Sequence, residues 1–449
     1  MNAVSHPLHS SRPKTPLAGT VRVPGDKSIS HRALMFGALA VGVTRIFGLL
    51  EGEDVLRTAA AMRALGAEVT RGDDGAWTVS GRGIGGLIEP NDILDMGNSG
   101  TAARLLTGIL ATHDLFAVMT GDASLRQRPM KRVTAPLAAS GAQFWSRENG
   151  RLPLAIRGAR NPLPIEYELP VASAQVKSAI LLAGLNSPGE TLVREPAPTR
   201  DHSENMLRHF GAQVAVEHDG AARIIRLTGQ PELRAANVTV PADPSSAAFP
   251  IVAALLVPGS RIVLENIGLN PLRTGLLTSL REMGASIEVT ATRLEGGEPV
   301  GDLLITSGDL IAADIPPDRA PSMIDEYPIL AVAAACARGT SRFRGLHELR
   351  VKESDRLSAT LALLTTNGVH AEIEGDDLII VGHQELHGNH SGPPGGGLVA
   401  THMDHRLAMS ALVLGLATHN PVAVDDGAFI DTSFPGFVAL MNSLGAAIR

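Results

Sequence analysis

Residues 62–67 read Met-Arg-Ala-Leu-Gly-Ala, with an apolar residue four positions before a glycine that ends a helical pattern. The same ending returns at 137–142, 207–212, 280–285, 364–369 and 441–446. Its glycines are Gly66, Gly141, Gly211, Gly284, Gly368 and Gly445; five are followed by Ala and Gly368 by Val. They lie 70 to 84 residues apart, the signature of an internal repeat. Polar clusters recur at fixed offsets upstream of each stop. About 38 to 43 residues before it come Lys27-Ser28, Thr101, Ser173, Ser245, Asp325 and Asp404. About 11 to 15 before it come Glu51, Arg128, Arg200, Arg273, Arg356 and Thr432. Both sets fall where helices should begin, and helix N-termini attract anions. The pattern predicts a site for a small, multiply charged anionic substrate.

Each repeat has one grammar. An Ala/Leu-rich helix such as 30–40 or 173–185 is followed by a glycine-centred turn, then by a short alternating strand such as 44–48 or 191–194. A second helix runs to the glycine stop, and a hairpin of β-branched residues follows, as in 68–70 with 77–80. Period switching and turn signals make this a βαβαββ unit in an α/β fold. Six units divide as three plus three. The strand 19–23 has no partner in the first unit and is expected to complete the other half. Crossings near Pro24 and Pro241 form a two-strand hinge. This gives a discontinuous domain, 1–24 with 241–449, and an inserted domain, 25–240. The run 388–397 reads as a flexible hairpin loop, and 1–16 as a disordered polar tail without the apolar core of a signal peptide.

Composition narrows the function. The chain has 449 residues, 44% hydrophobic and 19% charged, as in a soluble globular protein. Aromatics are only 3%, so the cores must be built from Ala, Leu, Val and Ile. A net charge of -7 argues against a general nucleic-acid or membrane surface, so any anion site must be a local concentration of cations. Apolar runs such as 251–257 are too short to span a bilayer, and the cytoplasm is the expected compartment. The one cysteine, Cys336, lies in an apolar helical stretch and reads as a core thiol.

Within the clusters, Lys27 is the residue that capping does not explain, because a cation at a helix start opposes the dipole. An anionic ligand would remove that conflict, and Lys27, Ser28 and Arg32 could face one phosphate. The Gly97–Arg104 stretch offers bare backbone around Gly100. Of the basic run Arg126, Arg128, Lys131 and Arg132, Arg128 is the one placed to reach a ligand. Gln175 supplies neutral donors and acceptors of the kind that fix hydroxyls. Lys352 and Arg356, four apart, share a helix face, with Glu353 beside them. His402-Met403-Asp404-His405-Arg406 lacks the further ligands of a metal site, and Arg406 reads better as an anion clamp. The Gly81-x-Gly83-x-x-Gly86 run is a hairpin loop, since Pro90 follows too soon for a dinucleotide-binding helix.

Taken together and in order, these heads resemble the 3-phosphoshikimate 1-carboxyvinyltransferase (EPSP synthase) family from about Leu17 onward. The carriers are Gly25–Arg32, Gly121–Met130, Asp325–Pro328, Arg350–Arg356 and Asp404–Arg406. Ser173–Lys177 and Arg200–Glu204 look like its class II branch. The resemblance implies two inverted α/β domains of three βαβαββ units each. It implies transfer of the enolpyruvyl group of phosphoenolpyruvate to the 5-hydroxyl of shikimate 3-phosphate, with no metal or organic cofactor.

By that resemblance, shikimate 3-phosphate is held by Lys27, Ser28, Arg32, Ser173, Ala174, Gln175, Asp325 and Lys352, with Arg200 adding a phosphate contact. Phosphoenolpyruvate is held by Lys27, Gly100, Arg128, Gln175, Arg356 and Arg406. Asp325 is the base for the 5-hydroxyl, Glu353 the acid toward the methylene, and Lys27 is counted with them as catalytic. The seven cations Lys27, Arg32, Arg128, Arg200, Lys352, Arg356 and Arg406 come from both halves. Their repulsion is expected to keep the cleft open until shikimate 3-phosphate binds. The family is also the target of glyphosate, and Gly100 leaves room for that inhibitor.

Two departures stand out. Ala174 replaces a second serine found in many members, which removes one phosphate contact that Arg200 would replace. Thr432 stands where others carry a lysine. The sister enzyme acting on UDP-N-acetylglucosamine shares the fold but usually carries a reactive loop cysteine, unlike Cys336. A non-catalytic anion-binding repeat protein would keep the cations and need neither Asp325 nor Glu353. The expected partners are the two small substrates, with neither nucleic acid nor membrane, and the expected state is a monomer.

Overall fold

A computed structural model describes residues 6–383 and 392–449. Residues 1–5 of the expected tail and 388–391 of the expected hairpin loop lie outside the described residues. All six glycine stops have positive φ, from +77° at Gly368 to +105° at Gly445. Side chains rarely adopt that conformation, and it is what ends the helix. At five stops the N–H after the glycine donates to the carbonyl of the quoted apolar residue, as Ala67 does to Met62 at 3.0 Å and Ala212 to Leu207 at 2.8 Å. This is the Schellman closure, so the six-residue ending is one hydrogen-bonded unit.

The chain divides into two compact units. One comprises Met1–Pro24, Pro241–Arg293 and Pro299–Arg449; the other comprises Gly25–Val240 with Leu294–Glu298. The sequence assigned 294–298 to the discontinuous part. That assignment is corrected, because Glu298 accepts from His202 Nδ1 at 2.9 Å and from Asn205 Nδ2 at 3.2 Å.

Among the described residues the strands form six four-stranded sheets, three in each unit. In one sheet of the inserted unit, Leu94–Asp95 runs parallel to Phe116–Thr120. That strand pairs antiparallel with Arg151–Arg157, which pairs with Gln143–Arg147. The other sheets repeat this order, three of them with a strand from far along the chain. Val238–Thr239 completes the sheet of Val43–Phe47. Ala18–Val21 completes that of Arg261–Gly268, in the register Ala18 opposite Arg261, as its lack of a nearby partner predicts.

The sheet of Val422–Val424 corrects the reading of 1–16 as a disordered tail. Leu8–Ser11 lies between Val422–Val424 and Ala447–Ile448, antiparallel to both. Its four residues, Leu-His-Ser-Ser, carry one apolar side chain, so composition hides a strand that backbone pairing enforces. In the 388–397 run, Gly395 bridges in parallel to Asn420 and leads into the strand Leu398–Val399.

Each unit buries three helices almost entirely. In the inserted unit they are Lys27–Leu39, Gly100–Ala111 and Ala174–Gly184. In the discontinuous unit they are Pro244–Leu256, Tyr327–Ala335 and His405–Gly415. A helix apolar all round has to be surrounded, and Tyr327–Ala335 is buried at every position. Small residues let these helices approach closely. A Cβ on Gly108 would lie 2.1 Å from the carbonyl oxygen of Ala179 on the neighbouring helix. The core is therefore closely packed with few aromatics.

Candidate active site

Most of the polar clusters sit at or just before helix starts, as their spacing predicts, whereas Thr432 ends the short helix Ala428–Thr432. In the inserted unit, Asp26 caps Lys27–Leu39 by accepting from the Ile29 N–H at 2.9 Å, which makes Lys27 the first helical residue. The Lys27 ammonium pairs with Asp54, a nearly buried carboxylate in the first turn of Glu53–Ala64. Asp54 thus answers the dipole conflict that the sequence left to a ligand.

Arg32 is 3% exposed and donates to Ser203 Oγ and Ser178 Oγ, both at 2.8 Å, and to the Ser28 carbonyl at 2.9 Å. Burial lowers its pKa to about 10, against the pull of Glu204 and Asp26. It therefore remains a cation at neutral pH. His31, beside it, lies between Thr58 Oγ1 at 2.7 Å and Ser99 Oγ at 3.4 Å. Burial first, then Lys27 and Arg32, hold its pKa well below the usual value, so it is neutral.

Gly100 opens its helix behind the cap Ser99, which accepts from the Ala102 N–H at 3.2 Å. Arg128 donates to Asn98 Oδ1 at 2.7 Å and to Ser124 Oγ at 3.1 Å. A Cβ on Gly100 would lie 3.1 Å from Nη1 of both Arg104 and Arg128, so these three positions converge. Gln175 joins them, accepting from Arg104 Nη1 at 2.6 Å and donating to Thr101 Oγ1 at 3.1 Å. Ser173 caps the helix that Ala174 begins, and both are half-buried, as is Arg200. By contrast Arg126, Lys131 and Arg132 are exposed, which separates them from Arg128.

In the discontinuous unit the centre is Arg356. Its side chain is fully buried and faces three carboxylates. Nε and Nη2 donate to the two oxygens of Asp404 at 2.7 and 3.2 Å, and Nη1 donates to Asp325 at 3.2 Å. Glu353 pairs with Nη2 at 2.7 Å. Burial works against the guanidinium charge, but Asp404, Glu353 and Asp325 more than offset it and hold the pKa above its usual value. Asp404 is held below the usual carboxylate range: burial opposes this, and Arg356 outweighs it. Asp325 and Glu353 differ from Asp404 in access, with side chains 18% and 25% exposed against 0%.

Arg406 follows the cap Asp404, and its Nη1 lies 3.7 Å from Glu326 Oε1. Glu326 also accepts from Ser245, which with Asp243 receives hydrogen bonds from Arg273. Lys352 is half-buried in extended conformation just after the short helix His347–Val351, and Arg356 opens the next helix, Arg356–Thr366, so the expected shared helix face is corrected.

Sequence reasoning gave no role to Asp54, Arg104, Lys177, Glu326 or Asp404. A signal existed for three of them. Arg104 and Lys177 are the lone charges within apolar helices, and a charge there demands a partner. Asp404 is the sixth member of the recurring helix-start series.

The family model for EPSP synthase (3-phosphoshikimate 1-carboxyvinyltransferase) matches residues 11–441. This chain belongs to the EPSP synthase family. It is 70% identical over 448 residues to the 3-phosphoshikimate 1-carboxyvinyltransferase of Acidiphilium cryptum, covering 100% of this chain and 99% of the relative. The Granulibacter bethesdensis protein of that name is 71% identical over 446 residues, 98% of this chain and 97% of the relative. Among solved structures, EPSP synthase from Acinetobacter baumannii superposes with a TM-score of 0.88 at 44% identity, over 99% of both chains. The enolpyruvyl transferase NikO from Streptomyces tendae, at 18% identity over 99% of both chains and TM-score 0.76, shares the fold. Membership settles the choice of relatives over the UDP-N-acetylglucosamine enzyme. Cys336 is consistent with that, since burial pushes its thiol up to about 12 and leaves it unreactive at neutral pH. No helix among the described residues is long and apolar enough to cross a membrane.

Proposed function

We propose that this EPSP synthase family member transfers the enolpyruvyl group of phosphoenolpyruvate to the 5-hydroxyl of shikimate 3-phosphate and releases phosphate. The observation that carries the residue roles is the buried Arg356 with Asp404, Asp325 and Glu353 around it. Asp404 anchors the guanidinium. Asp325 and Glu353 share it while keeping exposed surface, which suits groups that exchange protons with a substrate. The proposed role of general acid requires Glu353 to carry a proton when phosphoenolpyruvate binds.

Glu353 delivers the proton to the methylene carbon of phosphoenolpyruvate, creating a cationic centre at C2. Nearby carboxylate charge stabilises that centre. The 5-hydroxyl oxygen bonds to C2 and its proton passes to Asp325. In the second half, Glu353 takes a proton back from the new methyl group, the double bond re-forms and the C2–O bond to phosphate breaks. The Asp325 proton goes with the leaving phosphate.

The inserted unit carries most of the shikimate 3-phosphate set: Lys27, Ser28, Arg32, Ser173, Ala174, Gln175 and Arg200. Asp325 and Lys352 complete it. Lys27, Gly100, Arg128, Gln175, Arg356 and Arg406 receive phosphoenolpyruvate. Arginine suits both ligands because its fork matches carboxylate and phosphate oxygens with two parallel bonds. The enzyme acts as a monomer in the cytoplasm, which sedimentation of the purified protein and fractionation of its host test. The reaction itself is tested by mass spectrometry of the product formed from both substrates. The 5-enolpyruvyl ether of shikimate 3-phosphate is expected. A product formed only from UDP-N-acetylglucosamine would overturn the reading.

A further inference from the structure

Four charged side chains in the inserted unit have no place in the chemistry above. Lys177, Glu195 and Glu204 are fully buried, and Arg223 is 7% exposed. Lys177 Nζ lies 2.8 Å from Glu204 Oε1 and 3.1 Å from Glu195 Oε2, and Arg223 Nε lies 3.7 Å from Glu195 Oε1. Two cations and two anions balance, but removing four charges from water is costly. Apolar replacements of similar volume are often no less stable than such clusters. A fully buried Lys177 touches no substrate, so its use must be indirect.

Its neighbours point to that use. Residues 196–200, Pro-Ala-Pro-Thr-Arg, have no helix or strand ladder to hold them. Thr199, immediately before Arg200, gives all three of its polar groups to the cluster. Its hydroxyl donates to Glu195 Oε2 at 2.6 Å, its N–H donates to Glu195 Oε1 at 3.4 Å, and its carbonyl accepts from Lys177 Nζ at 3.3 Å. The ion pair of Lys177 with Glu204 also ties together the helices Ala174–Gly184 and His202–His209. Ser178, one residue after Lys177, comes from the first of these helices, and Ser203, one residue before Glu204, from the second. Their hydroxyls are 2.7 Å apart, and both accept from Arg32.

We infer that the Lys177–Glu195–Glu204 cluster is a positioning device for the phosphate-binding arginines. It fixes the backbone before Arg200 and the spacing of the two serines that aim Arg32. Its task is recognition of the phosphate of the phosphorylated substrate, not proton transfer. The inference rests on the proposed function, because it needs Arg200 and Arg32 to meet that phosphate.

Thr199→Val tests it, since it removes one hydroxyl and keeps the charge balance and side-chain shape. The KM for shikimate 3-phosphate is expected to rise about 10- to 150-fold, the range of one lost hydrogen bond to a charged group. KM for phosphoenolpyruvate and kcat should stay within about twofold. In an Arg200→Ala background, Thr199→Val should add little, because its effect passes through the missing arginine. The paired change Lys177→Met with Glu204→Gln should show the same selective rise in a folded protein. An unchanged KM for shikimate 3-phosphate in Thr199→Val, or an equal effect with and without Arg200, would overturn the inference. Wild-type protein that forms no product from the two substrates would instead overturn the function on which it rests.

Discussion

The charged residues of the candidate site differ from one another mainly in how much water they keep. Asp404 and Arg356 keep none, while Asp325 and Glu353 keep some. That division matches the proposed roles, anchoring for the first pair and proton transfer for the second. Asp325→Asn and Glu353→Gln should each lower turnover by about two orders of magnitude or more, with milder changes in substrate binding. Steady-state kinetics of either variant at near-normal turnover would remove that residue from the mechanism. At Gly100, an added methyl would press on the ends of Arg104 and Arg128. Gly100→Ala is expected to weaken glyphosate more than phosphoenolpyruvate, and competitive inhibition kinetics with equal losses for both would refute the steric account. His31 gives a pH effect. Its folded-state pKa is depressed, so the unfolded chain takes up the proton more readily. Stability is therefore present above about pH 6.5 and falls as the pH drops toward the folded-state value, by at most about 1.4 kcal/mol per pH unit. Urea midpoints at pH 7 and pH 5 should converge in His31→Gln relative to the wild type. An unchanged difference would mean that His31 is not the titrating group.

At the scale of elements, the glycine stops were legible because they are purely local: a left-handed residue after an apolar helix needs nothing from elsewhere in the chain. Gly211 isolates that effect, since a Cβ there would meet only Glu232 O, at 3.9 Å, yet its φ is +94°. Gly211→Ala should cost about 1–2 kcal/mol through backbone strain alone. Gly108→Ala should cost more, because its methyl would overlap Ala179 O and push two central helices apart. Denaturant unfolding of the two variants checks this order. The strand Leu8–Ser11 and the hairpin tip 294–298 were illegible for the opposite reason. Their places are set by partners far along the chain: Val422–Val424 for the strand, and His202 with Asn205 for Glu298. The helix-start series named Lys27, Ser173, Asp325 and Asp404 correctly as positions. It said nothing of Asp54 opposite Lys27, or of Arg356 gathering three carboxylates, because pairings across elements leave no periodic trace.

Over the whole molecule, a net charge of -7 coexists with cations concentrated at particular helix starts. Acidic partners hold several of those cations in place: Asp54 for Lys27, Asp404 for Arg356 and Glu326 for Arg406. These ion pairs offset the like charges of the cations that the proposed function assigns to anionic substrates. The residues proposed for each substrate are drawn from both three-sheet units, and the proposed mechanism requires both substrates for any turnover. The most direct test follows inorganic phosphate release from the purified protein with phosphoenolpyruvate alone, with shikimate 3-phosphate alone, and with both. The account predicts release only when both are present. Release from phosphoenolpyruvate alone at the same rate, or none with both substrates despite binding, would contradict it.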